Sequence, residues 1–249
     1  MKLLIDADSL LFSACFKKKK SKEDDGFNYD MEDVIHKFDN SIFNIVNTLS
    51  DIGVEIDAYK IFVQGNNNFR KIIYPKYKIN RLFKVKPPLL KDLSTYVINN
   101  RNAFVSNGVE TDDTIAATWN YLSETEGVDS VIIAAMDKDF KQLPAWIFDY
   151  YYTRMSLRKV SEEESLYNFY YQMIIGDSGD GVNIMEGVGD KTASSVLMGR
   201  VSEFSLRRGA YELFIKNKGR KSRESWILSW NLLKLTLDGI AIPYEYDYI

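Results

Sequence analysis

Cysteine and histidine are almost absent: Cys15 and His36 are the single copies in 249 residues. One thiol excludes an internal disulfide framework, and one imidazole excludes His-rich zinc sites and most Ser-His-Asp chemistry. His36 lies near the apolar face of a helical pattern and is expected to pack there. Long apolar runs are missing too. The longest, Val131 to Met136, falls far short of the roughly 20 residues that span a bilayer, so no membrane partner is expected. Asp6 and Asp8 interrupt the apolar start MKLLIDADSLLFSACF, which predicts that the chain is not exported. Repeats, low-complexity tracts and long flexible linkers are also lacking. Neither sign of charge dominates: 32 Lys and Arg against 35 Asp and Glu leave a net charge of −3, too little to hold nucleic acid through overall charge. If the chain is an enzyme, its carboxylates carry the chemistry.

What is present is core-forming material in an alternating order. With 45% hydrophobic residues, the chain can bury one large core or two small ones. Lys2 to Ile5 is a short apolar run that delivers Asp6 to a sheet edge. AYKIFV at 58–63, AFVS at 103–106 and VIIAA at 131–135 read as further buried strands, and WIFDY at 146–150 as a fainter one. Between them Val34, Phe38, Ile42, Ile45 and Leu49 fall on one helical face, as do Ile115, Trp119 and Leu122. Strands alternating with helices predict a doubly wound, mainly parallel α/β sheet with helices on both faces over residues 1–160. Beyond about 160 the strand signal fades, and 161–249 reads as a helical subdomain punctuated by glycine. There YNFYYQMI at 167–174 reads as core, and Trp226 and Trp230, four apart, as a packing pair.

Two segments are expected to be exposed. KKKKSKEDDG at 17–26 is a charge run suited to a solvated loop. Lys76 to Asp92 carries many cations and no acid before Asp92, interleaved with Tyr77 and Phe83 and stiffened by Pro87 and Pro88. That pattern suits a surface meeting a phosphate backbone and stacked bases.

Ligands of open α/β sheets sit outside the carboxyl ends of the strands, so acids that follow strands converge there. Asp6 ends the first strand, Glu110 and Asp112 follow the third, Asp137 and Asp139 follow the fourth, and Asp177 and Asp180 sit in the glycine-rich helical part. Asp137 and Asp139 point the same way if the fourth strand runs on by one pleat. Each acid alone is also at home as a helix N-cap or in a turn, Asp112, Asp113 and Asp139 above all. Together, seven carboxylates in one cleft stay ionised only with a cation among them. Oxygen-only ligands select hard ions, Mg2+ or Mn2+ in place of zinc, and two such ions about 3.5–4 Å apart are the usual apparatus of phosphodiester hydrolysis. Farther along, Gly187, Val188, Gly189, Asp190, Lys191 and Thr192 put two glycines before a helix N-terminus. Backbone N–H groups there can receive a phosphate, or the glycines simply make a tight turn. Lys216, Lys218, Arg220, Lys221 and Arg223 form a second basic cluster that equally suits a solvated helix end.

In order, IDADSL, FRKIIYPKYKINR, GVETDD, AAMDKDFKQL and IIGDSGDGVNIMEGVGDKTA resemble the 5′-nuclease family of flap endonucleases and phage 5′-3′ exonucleases, over residues 3 to about 200. The resemblance implies a PIN-like catalytic core, an arch at about 76–100, and a helix–three-turn–helix hairpin at about 174–200 that grips duplex DNA through its backbone. It implies that Asp6, Glu110, Asp112, Asp137 and Asp139 hold metal and that Asp177 and Asp180 complete the second metal site. Lys78 and Arg81 match the basic residues at the base of the arch that contact the scissile phosphate, and Phe69 and Arg70 match the FR pair before it, counted with the DNA-binding residues. Gly187, Val188, Gly189, Lys191 and Thr192 match the duplex-contacting hairpin, where K+ is also expected, and Lys216, Lys218, Arg220 and Lys221 extend that surface. The implied activity is a two-metal 5′-3′ exonuclease or flap endonuclease. Its substrates are duplex or branched DNA with a 5′ single strand, or RNA–DNA primer hybrids. Its setting is the cytoplasm of a bacterium or phage-infected host, alongside replication proteins.

One residue departs from the pattern. Gln64, in FVQG, stands where the family places another metal-binding aspartate. Its oxygen can coordinate but brings no charge, and Asp8 is placed in sequence to compensate. The departure keeps open a branched-DNA-binding protein with weakened turnover, and the shared core keeps open a PIN-type ribonuclease.

Overall fold

Short apolar runs become parallel strands in this chain because both of their faces are covered. The computed structural model describes residues 1–17, 24–151 and 153–249, so most of the charge run at 17–26 lies outside the described residues. β1 (Lys2–Asp6), β2 (Ala58–Gln64), β3 (Phe104–Ser106), β4 (Val131–Ala134) and β5 (Trp146–Asp149) run parallel in the order β3-β2-β1-β4-β5. β6 (Ser156–Lys159) closes one edge antiparallel to β5, and β7 (Asp247–Tyr248) pairs antiparallel with the start of β2.

Ile5 lies opposite Ile61 on one side and Ala134 on the other, so alternate residues of the central strands form two separate cores. Leu3, Ile5, Ile61, Val63 and Ile132 pack with α1 (Asp8–Ala14), α2 (Met31–Asp51) and α4 (Leu90–Asn100), while Leu4, Phe62, Val131 and Ile133 pack with α5 (Thr111–Glu126). α2 begins where the Asp30 carboxylate accepts the N–H groups of Glu32 and Asp33, and it buries the expected Val34, Phe38, Ile42, Ile45 and Leu49 stripe. His36 falls on its exposed side. The chain winds one way from β1 to β2 and the other way at β4. The crevice therefore opens at the carboxyl ends of β1 and β4.

The helical subdomain holds α6 (Glu162–Ile175), α7 (Asp190–Leu197), α8 (Glu203–Lys218) and α9 (Ser222–Leu233) around Phe169, Tyr170, Met173, Leu206, Phe214 and Trp226. Trp226 and Trp230 pack with ring centroids 6.2 Å apart. α6 ends at Gly176, whose φ is +75°. A Cβ there would lie 2.1 Å from the Val182 carbonyl oxygen, so this position demands glycine. Among the described residues no helix is long and apolar enough to cross a membrane.

The basic stretch 76–92 is mostly exposed, with Tyr77 and Pro87 buried. α4 begins at Leu90, two residues after Pro88, and buries Leu93 and Val97 against the sheet, so residues 90–100 of the arch expected at about 76–100 belong to the core layer. Short α3 (Phe69–Ile73) precedes that stretch.

Candidate functional site

Asp6, the last residue of β1, is buried and accepts the Asp8 N–H at 3.3 Å. Asp8 opens α1, and its carboxylate accepts the Gln64 N–H at 2.9 Å and the Thr111 hydroxyl at 2.8 Å. Gln64 ends β2. Its Nε2 donates to the Val109 carbonyl at 3.0 Å, and its Oε1 accepts the Thr111 N–H at 3.2 Å. The residue that departs from the family pattern therefore braces β2 to the start of α5, with Asp8 completing the brace.

Glu110 caps α5, and its own N–H donates to Asp113 at 3.1 Å. Its carboxylate meets Lys78 Nζ and accepts the Tyr77 hydroxyl at 2.6 Å. Tyr77 hydroxyl also lies 2.9 Å from Asp180, so a residue read as a stacking platform is instead buried and bridges two acids of the cleft. Lys78 takes φ +54°, unusual for a residue with a side chain. That turn sends its N–H to the Asp180 carbonyl at 2.8 Å and its ammonium to 3.5 Å from the Asp180 carboxylate. Arg81 reaches the same carboxylate at 2.6 Å, and Asn80 donates to the Gly179 carbonyl at 3.1 Å. The base of the basic stretch is thus pinned between α5 and the 177–182 loop.

β4 does not run on. Asp137 caps the 3-10 helix Lys138–Gln142 by accepting the Asp139 N–H at 2.9 Å. Asp137 and Asp139 therefore do not share a strand face: Asp137 is exposed, while Asp139 accepts Gln172 Nε2 of α6 at 2.8 Å. Asp177 accepts Lys138 Nζ at 2.9 Å and the Asp180 N–H at 3.1 Å. Carboxylate oxygens of Asp139, Asp177 and Asp180 all fall within 4.8 Å of one another. Three oxygen donors so grouped fit a hard divalent ion.

The electrostatics agree with that fit. Burial, then Asp8 and Asp137, push Asp6 well above the usual carboxylate range. Burial, then Glu110 and Asp113, do the same to Asp112. Asp139 is pushed up to about 7, by burial first and Asp137 second. Burial acts on Asp177 as well, but the Lys138 ammonium outweighs it and holds that carboxyl below the usual range. Burial would likewise lower Lys78, and Glu110 and Asp180 more than offset it. A cation among these acids stabilises their charged forms, offsetting both the burial and the repulsion that raise Asp6, Asp112 and Asp139.

Arg70 corrects the sequence expectation. Its guanidinium is 2% exposed, bonds both oxygens of Asp113, and donates to the carbonyls of Leu232 at 3.0 Å and Lys234 at 2.9 Å. Asp113, fully buried, also accepts the Thr236 N–H at 2.9 Å. With its donors turned inward Arg70 cannot reach DNA. It locks α3 and α5 to the end of α9 and the residue that follows it. Phe69, half-buried, packs its ring 4.8 Å from that guanidinium. Sequence reasoning left Asp113 as a routine cap; the signal it missed was the pairing of FR with the second acid of TDD.

In the hairpin, Gly187 has φ +75° and Gly189 caps α7 with no side-chain bond to the first turn. Gly187, Gly189, Lys191 and Thr192 are exposed and Val188 is half-buried; the Val188 N–H donates to the Met185 carbonyl at 3.3 Å and the Thr192 N–H to the Gly189 carbonyl at 3.0 Å. Lys216, Arg220 and Lys221 are exposed and Lys218 half-buried, around the end of α8 and the 3-10 turn Gly219–Lys221.

Residues 1–170 match the family model described as 5′-3′ exonuclease, N-terminal resolvase-like domain. Among solved structures, a T5 protein co-crystallised with metal ions has 19% identity and a TM-score of 0.65, covering 94% of this chain and 89% of that one. A pseudo-enzyme–product complex of the bacteriophage T5 flap endonuclease with DNA and metal ions has 15% identity and a TM-score of 0.58, covering 93% and 98%. The catalytic core of Rad2 in complex with a DNA substrate has 14% identity and a TM-score of 0.50, covering 96% and 75%. The likeness to these structures is one of fold; the family match rests on the sequence itself, and by it the chain belongs to the 5′-3′ exonuclease family.

Proposed function

We propose that the chain is a divalent-metal-dependent, structure-specific 5′-nuclease that hydrolyses phosphodiesters near 5′ ends or branches of duplex DNA. The observation that carries this reading is the meeting of Asp139, Asp177 and Asp180, from two parts of the fold, within 4.8 Å beside the acids at the carboxyl edge of the sheet. Asp139, Asp177 and Asp180 would hold one Mg2+ or Mn2+, and Asp6, Glu110, Asp112 and Asp137 a second. Bound there, such ions supply Lewis-acid polarisation of the phosphate and a readily deprotonated water.

The chain's own groups do the rest. Lys78 sits among Glu110 and Asp180, where its ammonium offers positive charge to a phosphate oxygen as negative charge grows on it. Arg81, 53% exposed, is free to swing from Asp180 to an incoming backbone. The turn from Gly189 to Lys191, at the start of α7, offers N–H groups to phosphates of the duplex and so reads shape, not base sequence. Lys216, Lys218, Arg220 and Lys221 add a salt-dependent contribution. K+ at the hairpin and cleavage of RNA–DNA primer hybrids belong to the same proposal, as does a cytoplasmic setting beside replication proteins.

The test is cleavage of labelled 5′-flap, blunt and RNA-primed duplexes with Mg2+, with Mn2+ and with EDTA, alongside Asp139→Asn. Metal-dependent cleavage that the substitution abolishes supports the proposal and ranks the substrates. Tight flap binding without cleavage would replace it with a branch-binding protein, and cleavage of single-stranded RNA alone with a PIN-type ribonuclease.

A further inference from the structure

α8 and α9, joined by the three-residue turn Gly219–Lys221, part along their length into a groove of about 600 Å3. Phe204, Arg207 and Tyr211 line it from α8, and Arg223, Trp226 and Ile227 from α9. These spacings are those of a helix stripe, and at 1.5 Å per residue the groove runs for about 12 Å, two helical turns. None of its lining side chains is acidic. Arg208 is engaged by Glu212 at 2.8 Å, whereas Arg207 and Arg223 have no carboxylate partner among the described residues. The groove's own lining thus holds three arginines and no acid, inside a chain of net charge −3. A local cationic surface with unpaired arginines is complementary to an acidic partner.

The apolar part of the groove distinguishes a peptide from a nucleic acid. Trp226 is 8% exposed. Tyr211 and Phe214 meet its ring edge-on at 83° and 79°, and Tyr170 stacks on it at 25°. Its ring face is already covered, so it offers no platform for a base. Beside it, Ile227 and Phe204, the latter 75% exposed, present aliphatic and aromatic surface of the kind that seats a bulky apolar side chain.

We propose that the α8–α9 groove docks an acidic amphipathic helix of a partner protein, with bulky apolar side chains over Phe204 and Ile227 and carboxylates paired to Arg207 and Arg223. The docking surface does not depend on the nuclease reading. The probe is a fluorescein-labelled peptide of about 14 residues, with Leu and Phe at helical i, i+4 and i+7 positions and Glu at most others. Titrated with the full chain, it is expected to bind saturably and to quench tryptophan emission. Arg207→Glu with Arg223→Glu is expected to weaken binding by at least about tenfold, with the circular dichroism spectrum unchanged because both side chains are exposed. Phe204→Ser should weaken it less, and a probe with Ala in place of Leu and Phe should not bind. Absence of saturable binding, or binding indifferent to the arginine variant, overturns the proposal. Oligo(dT) that displaces the probe and shows the same arginine dependence would overturn it too, by giving the groove to single-stranded nucleic acid.

Discussion

Arg70 and Arg81 stand eleven residues apart, each within bonding distance of an aspartate, and do different work. Arg70 is sealed at 2% exposure, with its guanidinium spent on Asp113 and two carbonyls. Arg81 makes one bond to Asp180 and keeps more than half its surface in solvent. The same chemical pair is a structural lock in one place and a movable cation in the other. What separates them is whether water can replace the partner. A buried ion pair that loses one member leaves an uncompensated charge, whereas an exposed one is worth little to stability.

The largest effect that can break this comparison is on folding. Arg70→Ala strands the buried Asp113 carboxylate and is expected to cost about 3–5 kcal/mol, read as a lowered urea midpoint. Arg70→Lys should recover only part of it, since one ammonium cannot make the two-point pair. An unchanged midpoint would mean that the lock is not one. Next comes Lys78→Ala, expected to slow flap cleavage by about 100-fold or more while moving the midpoint far less than Arg70→Ala does.

The pH response gives a smaller and sharper test. The Asp139 carboxyl sits at about 7 in the folded chain against about 3.9 when unfolded. The folded state therefore holds this proton more tightly, and stability falls as pH rises from about 4 to about 7. Asp6 and Asp112, also raised, act in the same direction. In EDTA the unfolding midpoint should decline over that range, Asp139→Asn should flatten the decline, and Mg2+ should restore stability near neutral pH. A midpoint that rises with pH in EDTA would show that these raised acids do not outweigh those held low, such as Asp177. Smallest of all, Arg81→Gln should change stability by no more than about 0.5 kcal/mol yet raise KM for a flap substrate, most visibly at low salt.

Much of the architecture was legible because burial leaves a linear trace. β1, β2 and β4 are covered on both faces and so appear as apolar runs, broken in β2 by the buried Lys60, and the α2 stripe at Val34 to Leu49 repeats at helical spacing. β6 was not legible because SLRK is a mostly exposed edge strand, nor was the two-residue β7. α4 was hidden by cations that run on from Lys76 to Lys91, although its Leu93 and Val97 lie in the core. The acids were legible as an ordered set after strands. Their partners were not, because tertiary packing assigns them. Arg70 looks in sequence like the other cations of its stretch, and its burial is decided by Leu232 and Lys234, some 160 positions away. Asp137 and Asp139 looked like a pleated pair, and the 3-10 turn that separates them has no apolar period to announce it.

The central claim is that Asp139, Asp177 and Asp180 together hold a divalent cation, and calorimetric titration of the metal-free full chain with Mn2+, beside Asp177→Asn, tests it most directly. Asp177→Asn keeps the volume and removes the charge. The account predicts saturable binding by the unsubstituted chain that weakens by at least about tenfold in the variant; equal Mn2+ affinity in the two proteins would contradict it.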